Sequence, residues 1–486
     1  MPERPPYAVR AVGLVVAVQA ALLLAVSGSY GPHRDELYFV SAGRHLAWGY
    51  PDQPSFTPLL ARLADLVAPG NLVVLRLPSI VAVAGIVLLG AEVARVLGGG
   101  RAAQLLTALS LAGSALLMAL GHRLTTATFD TLAWTAVLVV VLHAVVDDRP
   151  RLWLLAGLVA GIGLENKHSV AFILGGILVG VALTPVARPA LRTPWPWLGG
   201  ALALVLWLPT LLWQAAHDWP VLALSADIAD EYGGLGGRLG LVAQALVMYS
   251  PLVAVVWVVG LVALLRRADW GAARPLAWAF LAVTLVFLVT GGKGYYLAGA
   301  IPPLVAAGCV VLAERWSAHR AAVAGALLAV SGMVAWPAMA PWLPVRTYAG
   351  SFYTAIDQDQ LETIGWPAYA DTVRDVVASL PEGRHPVVLT GNYGEAGAFE
   401  WYGVGAPVFS GHNGWQDWGP PPADAGPVVV VGWTDPAIDF TGCRRAATLT
   451  NSVGADNEEQ GMPVWVCDGP VGSWAEAWPG LSHLDA

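Results

Sequence analysis

The sequence predicts an all-α polytopic membrane domain of about eleven transmembrane helices, followed by a small α/β domain outside the membrane. Three observations predict it. Hydrophobic residues make up 56% of the chain and charged residues only 12%, about half the charged share of a soluble globular protein. Apolar segments near the ~20 residues needed to cross a bilayer recur along the first two thirds of the chain. Past about residue 346 those segments stop, and Asp, Glu, Asn and turn residues take over.

The expected spans, in order, are 9–28, 72–97, 103–120, 130–147, 152–165, 169–184, 197–214, 241–265, 276–290, 296–313 and 320–341. Those at 152–165, 169–184 and 276–290 are short, and the first two are expected to form a broken or tilted pair. Strand-like alternation of about ten residues does not recur, which argues against a β-barrel. Arg4 and Arg10 precede the first apolar run, as in a signal peptide. The ten hydrophobic segments that follow favour an uncleaved first span. With the N-terminus cytoplasmic, the loops on its side carry the greater share of arginine, consistent with the positive-inside rule. The expected localisation is therefore a multi-pass cell-membrane protein with its C-terminal domain extracytoplasmic. A net charge of −8 argues against nucleic acid as a partner.

The division expected is 1–345 for the membrane domain and 346–486 for the extracytoplasmic one. In the latter, β-type runs stand at 386–390, 427–432 and 463–467, and helical patterns at 370–380 and 395–402. Its last dozen residues are expected to fray. Cys443 and Cys467 lie there and either pair in an oxidising compartment or remain two thiols. Cys309 falls inside an apolar span and reads as packing.

The connections on the outer side carry the chemistry. Residues 29–71 form a long first outer loop. It holds His33-Arg34-Asp35-Glu36-Leu37-Tyr38 directly after the first span, then Arg44-His45 and Asp52-Gln53-Pro54. Such a run is either a solvated loop start with weak ion pairs or a catalytic carboxylate beside cations, since ionisable groups at membrane depth are costly and usually functional. His122-Arg123 and Asp130 flank a later span. Glu165-Asn166-Lys167-His168 separates two short ones, and Lys293-Gly294-Tyr295-Tyr296 precedes another. The chain has only two lysines, Lys167 and Lys293, both at outer boundaries. They read either as interfacial snorkelling or as point charges for a phosphate oxygen. Several cations near carboxylates suggest a site for a lipid-borne phosphate beside an acid–base group.

At these residues the sequence resembles the GT-C membrane glycosyltransferases, in particular bacterial relatives of the dolichyl-phosphate-mannose–protein mannosyltransferases and of the aminoarabinose transferase acting on lipid A. The resemblance runs over roughly residues 8–340, through Asp35-Glu36 after the first span, Asp52-Gln53-Pro54, Asp130, Gly163–His168 and Lys293–Pro303. Asn392–Gly397 and Ser410–Asn413 also look like the outer tail of bacterial members. Where related chains often carry a double proline, this one has Pro54-Ser55-Phe56.

The resemblance implies a sugar donor linked to polyprenyl phosphate, and a protein, lipid or glycan acceptor. It also implies an acidic residue of the first outer loop at the reacting centre, here Asp35 or Glu36. Asp35 is the expected general base of an inverting transfer. Arg34, Arg123, Lys167 and Lys293 are the candidates to hold the departing phosphate, and Asp52, Gln53 and Asp130 to hold sugar hydroxyls. His33, His168, Tyr295 and Tyr296 complete the expected binding set, the tyrosines either as an apolar wall or as part of an aromatic belt. No His/Cys cluster with zinc spacing is present, so no metal ligands are assigned, although a divalent cation remains compatible. The rival readings are a secondary transporter, against which stand the missing internal repeat and the absence of mid-span charge, and a non-enzymatic membrane assembly protein.

Overall fold

A computed structural model describes residues 4–485. The chain is a multi-pass membrane protein, mostly helical, ending in a mixed-sheet domain. All eleven expected apolar segments are helical. Among the described residues six helices are long and apolar enough to cross a membrane: Val9–Val26, Leu72–Val96, Thr126–Val146, Trp195–Ala216, Ala268–Thr290 and Gly294–Arg315. The number rises to eight if each of two bent pairs counts as one span. Leu152–Leu164 and Val170–Leu183 are shorter apolar helices, and the last expected span is the 16-residue helix Ala318–Met333.

Both bends have local causes. Arg101–Ala112 and Ala115–His122 meet at 60°, because Gly113 ends the first helix and Ser114, in extended conformation, starts the second by accepting the N–H of Leu117. Leu235–Val247 and Pro251–Arg266 meet at 94°. There Pro251 forces Ser250 out of the helical region, and the Ser250 hydroxyl accepts the N–H of Val253. Helices close tightly at glycines: a methyl on Gly157 would overlap the backbone of Gly199, and one on Gly260 the carbonyl of Leu304. Such small-residue contacts let membrane helices approach closely, where lipid supplies no hydrophobic drive between them.

Two compact units share the chain. One takes Met1–Val26, Gln53–Phe56 and Arg76–Met339, the other Ser27–Asp52, Thr57–Leu75 and the chain from Ala340 onward. The second unit therefore includes most of the long loop 29–71. Its sheet is built from β1 (Val387–Thr390), β2 (Val408–Ser410), β3 (Val428–Val431), β4 (Phe440–Thr441), β5 (Arg444–Thr448), β6 (Pro463–Cys467) and β7 (Gly469–Pro470). Five strands run in the order β2-β1-β3-β6-β5, the first three parallel and the last two antiparallel; β4 and β7 form a separate pair.

Alternation sends successive valines to opposite faces. Val388, Val429, Val431 and Val464 pack with Trp366, Tyr369 and Phe399 of the helices Trp366–Ala378 and Tyr393–Tyr402. Val387, Leu389, Val428 and Val430 pack on the other face with Phe440, Trp474 and Trp478. The last two belong to a C-terminal helix, Trp474–Leu481, closed by a Ser473/Glu476 capping box. The expected fraying of this segment is thus corrected, because two tryptophans and a satisfied cap hold it to the sheet. Cys443 and Cys467 are disulfide-bonded.

The loop helix Arg34–Arg44 packs on Tyr393–Tyr402. Leu37 enters the core shared with Trp366 and Val388. A Cβ on Gly394 would lie 2.8 Å from the Arg34 side chain and one on Gly397 2.8 Å from that of Leu37, so both positions need glycine for this approach.

Candidate functional site

The second unit gathers the first-loop carboxylates. Helix Arg34–Arg44 begins with a complete capping box: the His33 ring accepts from the Asp35 N–H, and the Glu36 side chain accepts the His33 N–H at 2.9 Å. That cap separates the two adjacent acids. Glu36 is fully buried and committed to the helix start, whereas the Asp35 side chain is 37% exposed. Asp35 Oδ1 accepts the hydroxyl of Tyr393 at 2.9 Å, and its Oδ2 stands 3.8 Å from His33 Nδ1.

Asp52 belongs to the same cluster. Its Oδ1 accepts the Tyr38 hydroxyl at 2.9 Å, its Oδ2 faces the Asn413 amide at 3.4 Å, and the Tyr38 hydroxyl in turn accepts the Gly414 N–H. The Tyr38 and Tyr393 rings stack at 4.8 Å, so the two carboxylates are bridged by paired tyrosines. Burial raises the Asp52 carboxyl from its ordinary 3.8 to about 6, the hydrogen bond from Tyr38 opposing it and the charge of Asp35 adding to it.

Beyond Tyr393 lies a cavity of about 340 Å³ bordered by Arg34, Tyr393, Glu395, His412, Glu458 and Asp485. It opens at Gly391 and Gly432, the residues that follow β1 and β3. The chain leaves β1 toward β2 on one side while β3 lies on the other, which is the switch point at which open α/β sheets place ligands. Glu395 already takes the Gly391 and Asn392 N–H groups at the start of its helix, and burial lifts its carboxyl to about 7. His412 is pushed down to about 4 by burial. Its Nε2 has no hydrogen-bond partner among the described residues. Arg34 donates to Glu458 at 2.9 Å and lies 5.8 Å from the Tyr393 ring centroid.

The membrane unit holds the second cluster. Asp130, 6% exposed on helix Thr126–Val146, accepts the Ser169 hydroxyl at 2.6 Å. Lys167 lies over the rings of Tyr295 and Tyr296, at 5.1 and 4.8 Å, and its charge acts on Asp130. His168 accepts the Trp207 indole N–H at 3.1 Å. Glu165 accepts the hydroxyls of Ser55 and Thr210. Lys293 faces a different ring, Tyr232, at 5.7 Å. Arg123 caps the end of helix Ala115–His122, and the amide of buried Gln53 has no partner among the described residues.

Asp35 is thus joined with Asp52, and Asp130 with Lys167, Tyr295 and Tyr296. Sequence reasoning assigned no role to Tyr38, Tyr393, Asn413, Glu458 or Ser169. Tyr393 and Asn413 lie in tail motifs whose family likeness was visible, Asn392–Gly397 and Ser410–Asn413.

Residues 52–213 match the family described as dolichyl-phosphate-mannose–protein mannosyltransferase. The match covers about a third of the chain. The matched segment contains Asp52, Gln53, Asp130, Lys167 and His168. The fold as a whole is similar to ArnT from Cupriavidus metallidurans in the apo state, with a TM-score of 0.62, 15% identity, and coverage of 94% of this chain and 97% of that one. It is similar also to ArnT from the same organism bound to undecaprenyl phosphate, with a TM-score of 0.59, 16% identity, and coverage of 94% and 98%. Arabinofuranosyltransferase AftD from Mycobacteria gives 0.53 at 14% identity, covering 95% of this chain and 40% of that one. At these identities the likeness is one of fold. A search of curated protein sequences gives no match.

Proposed function

We propose that the chain is a membrane glycosyltransferase that moves a sugar from a polyprenyl-phosphate donor to an acceptor hydroxyl on the outer face of the cell membrane. The observation that carries this reading is the first-loop acid. Asp35 is exposed, unlike its neighbour, and is oriented by Tyr393 on a fixed helix start, the arrangement a positioned base requires. The family matched by residues 52–213 and the ArnT-like fold, in a relative bound to undecaprenyl phosphate, support the donor class.

In the proposed reaction the acceptor occupies the cavity beside Tyr393. Its hydroxyl proton passes to the Asp35 carboxylate as the oxygen bonds to the anomeric carbon. The bond from that carbon to the phosphate oxygen breaks on the opposite face, inverting the configuration. The polyprenyl phosphate leaves with the bonding electrons and an added negative charge. Lys167, held over two aromatic faces of the membrane unit, is a candidate to bind the donor's phosphate. Arg123 and Lys293 are further candidates, and Asp52 and Asp130 serve donor or acceptor hydroxyls.

The test is transfer by the purified full chain in liposomes, supplied with radiolabelled sugars on undecaprenyl phosphate and a crude envelope acceptor fraction. Label moving from lipid to acceptor, with release of undecaprenyl phosphate, is expected. Solute uptake into the liposomes without sugar transfer would overturn the proposal in favour of a transporter.

A further inference from the structure

A second group of acids stands apart from the carboxylates used above. Glu362, on the short turn Asp359–Thr363, and Glu458 and Glu459, on the loop after β5, offer carboxylate oxygens within 4.8 Å of one another. Exposed acids often gather without consequence, but two of these are buried. Glu459 is 1% exposed and Glu362 8% exposed. Among the described residues neither oxygen of Glu459 has a hydrogen-bond partner, nor has Oε2 of Glu362. Glu458, by contrast, is open to solvent and gives the cluster an entrance.

Unpaired carboxylates in such surroundings cost several kcal/mol each unless a proton or a cation compensates them. Arg34 compensates one, through its 2.9 Å contact with Glu458. Three carboxylates and one guanidinium leave two negative charges. Burial pushes both carboxyls upward, the charge of Glu459 adding to it at Glu362 and that of Glu395 at Glu459, with Arg34 opposing at both. The donors are all oxygen, the preference of calcium and magnesium and not of zinc. Calcium binds oxygens at about 2.4 Å, so two ligands on opposite sides of the ion stand about 4.8 Å apart.

We propose that Glu362, Glu458 and Glu459 bind one hard divalent cation of the calcium type. The cation joins the loop after β5 to the turn before helix Trp366–Ala378 and supplies the two missing charges. It lies next to Arg34, so the position of the guanidinium beside Asp35 depends on it. The site concerns binding alone, and its failure would leave the transferase reading untouched.

Terbium is the direct probe. Trp366 donates its indole N–H to the Glu362 carbonyl at 2.8 Å, close enough to sensitise a lanthanide held by that residue. The full chain in neutral detergent, stripped with EDTA, is titrated with Tb³⁺ and then with Ca²⁺. Saturable emission excited through tryptophan and displaced by Ca²⁺ is expected, together with a Ca²⁺-dependent rise in melting temperature. Glu459→Gln removes a buried charge at constant shape, so the variant should fold, lose at least tenfold in affinity and melt independently of Ca²⁺. Glu362→Gln gives the same reading should the first variant misfold, and the exposed Asp424→Asn is the control. No saturable emission from the wild type, or equal affinity in Glu459→Gln and Glu362→Gln, would overturn the proposal.

Discussion

Replacing Asp35 by Asn tests the proposed chemistry most directly, because the structure separates its effect on rate from its effect on folding. Asn is isosteric, and its amide oxygen can still accept the Tyr393 hydroxyl that now lies 2.9 Å from Asp35 Oδ1. What folding loses is the difference between a charged and a neutral acceptor at a partly exposed position, about 1 kcal/mol. What catalysis loses is the base. A positioned base contributes about 10²–10⁴-fold, or about 3–5 kcal/mol of barrier at about 1.36 kcal/mol per decade. Glu36→Gln one residue on is the matched comparison. Gln still accepts the His33 N–H, so the cap weakens by about 1 kcal/mol and transfer should stay within about threefold of wild type, as expected of a group that only caps a helix. The assay is the initial rate of label transfer from undecaprenyl-phosphate sugar at saturating donor, with the melting temperature of each variant measured alongside. Undiminished transfer by Asp35→Asn, or equal losses in the two variants, would refute the assignment.

Lys167→Ala should raise the KM for the lipid donor by about 10–100-fold, the worth of a charge-assisted contact of about 1.5–3 kcal/mol, while Lys167→Arg keeps part of the affinity; a donor titration checks this. Asp52 gives a pH dependence of definite sign. Its carboxyl sits at about 6 when folded against an ordinary 3.8, so its favourable contribution is complete at low pH and is lost as pH rises from about 4 to 6. Asp52→Asn should therefore raise the melting temperature at pH 8 and leave it nearly unchanged at pH 4, an effect of about 3 kcal/mol, read by melting both proteins across that range. The Cys443–Cys467 bond closes a loop of 24-residue separation, worth about 3.5 kcal/mol of unfolded-state entropy; Cys443→Ser or reduction should lower the melting point accordingly. Gly397→Val places atoms against Leu37 and should lower both stability, by about 1–3 kcal/mol, and transfer, measured by melting and rate together.

The helical membrane architecture was legible because span length and apolar runs are properties of single segments. The bends were less so: Ser250-Pro251 is a visible signal, but its 94° turn inside a continuous apolar stretch depends on a cap that hydropathy does not register. In the tail, β1, β3 and β6 announce themselves as valine-rich runs. β2 has three residues, and β5 is Arg-Arg-Ala-Ala-Thr, so neither carries an apolar signature. The site was legible as a set of residue types and no further. Asp35 and Glu36 cannot be told apart in sequence. The capping box that distinguishes them was spelled out in His33 and Glu36, but a histidine is an unusual cap to recognise. Tyr393 stands 358 positions from Asp35, a pairing that no local pattern encodes. Lys293 carried the same sequence signal as Lys167, yet the two meet different rings.

Leu37 sits in one core with Trp366, Val388 and Val431, and this has a consequence for how the protein is made. The helix that offers Asp35 leaves the ribosome long before the strands, from Val387–Thr390 onward, that shelter its apolar side. Until β1, β3 and β6 have been made, that helix has no completed fold to join. Activity should therefore appear only once the chain has been made through β6, and nascent chains arrested before residue 387 should present the loop to added protease.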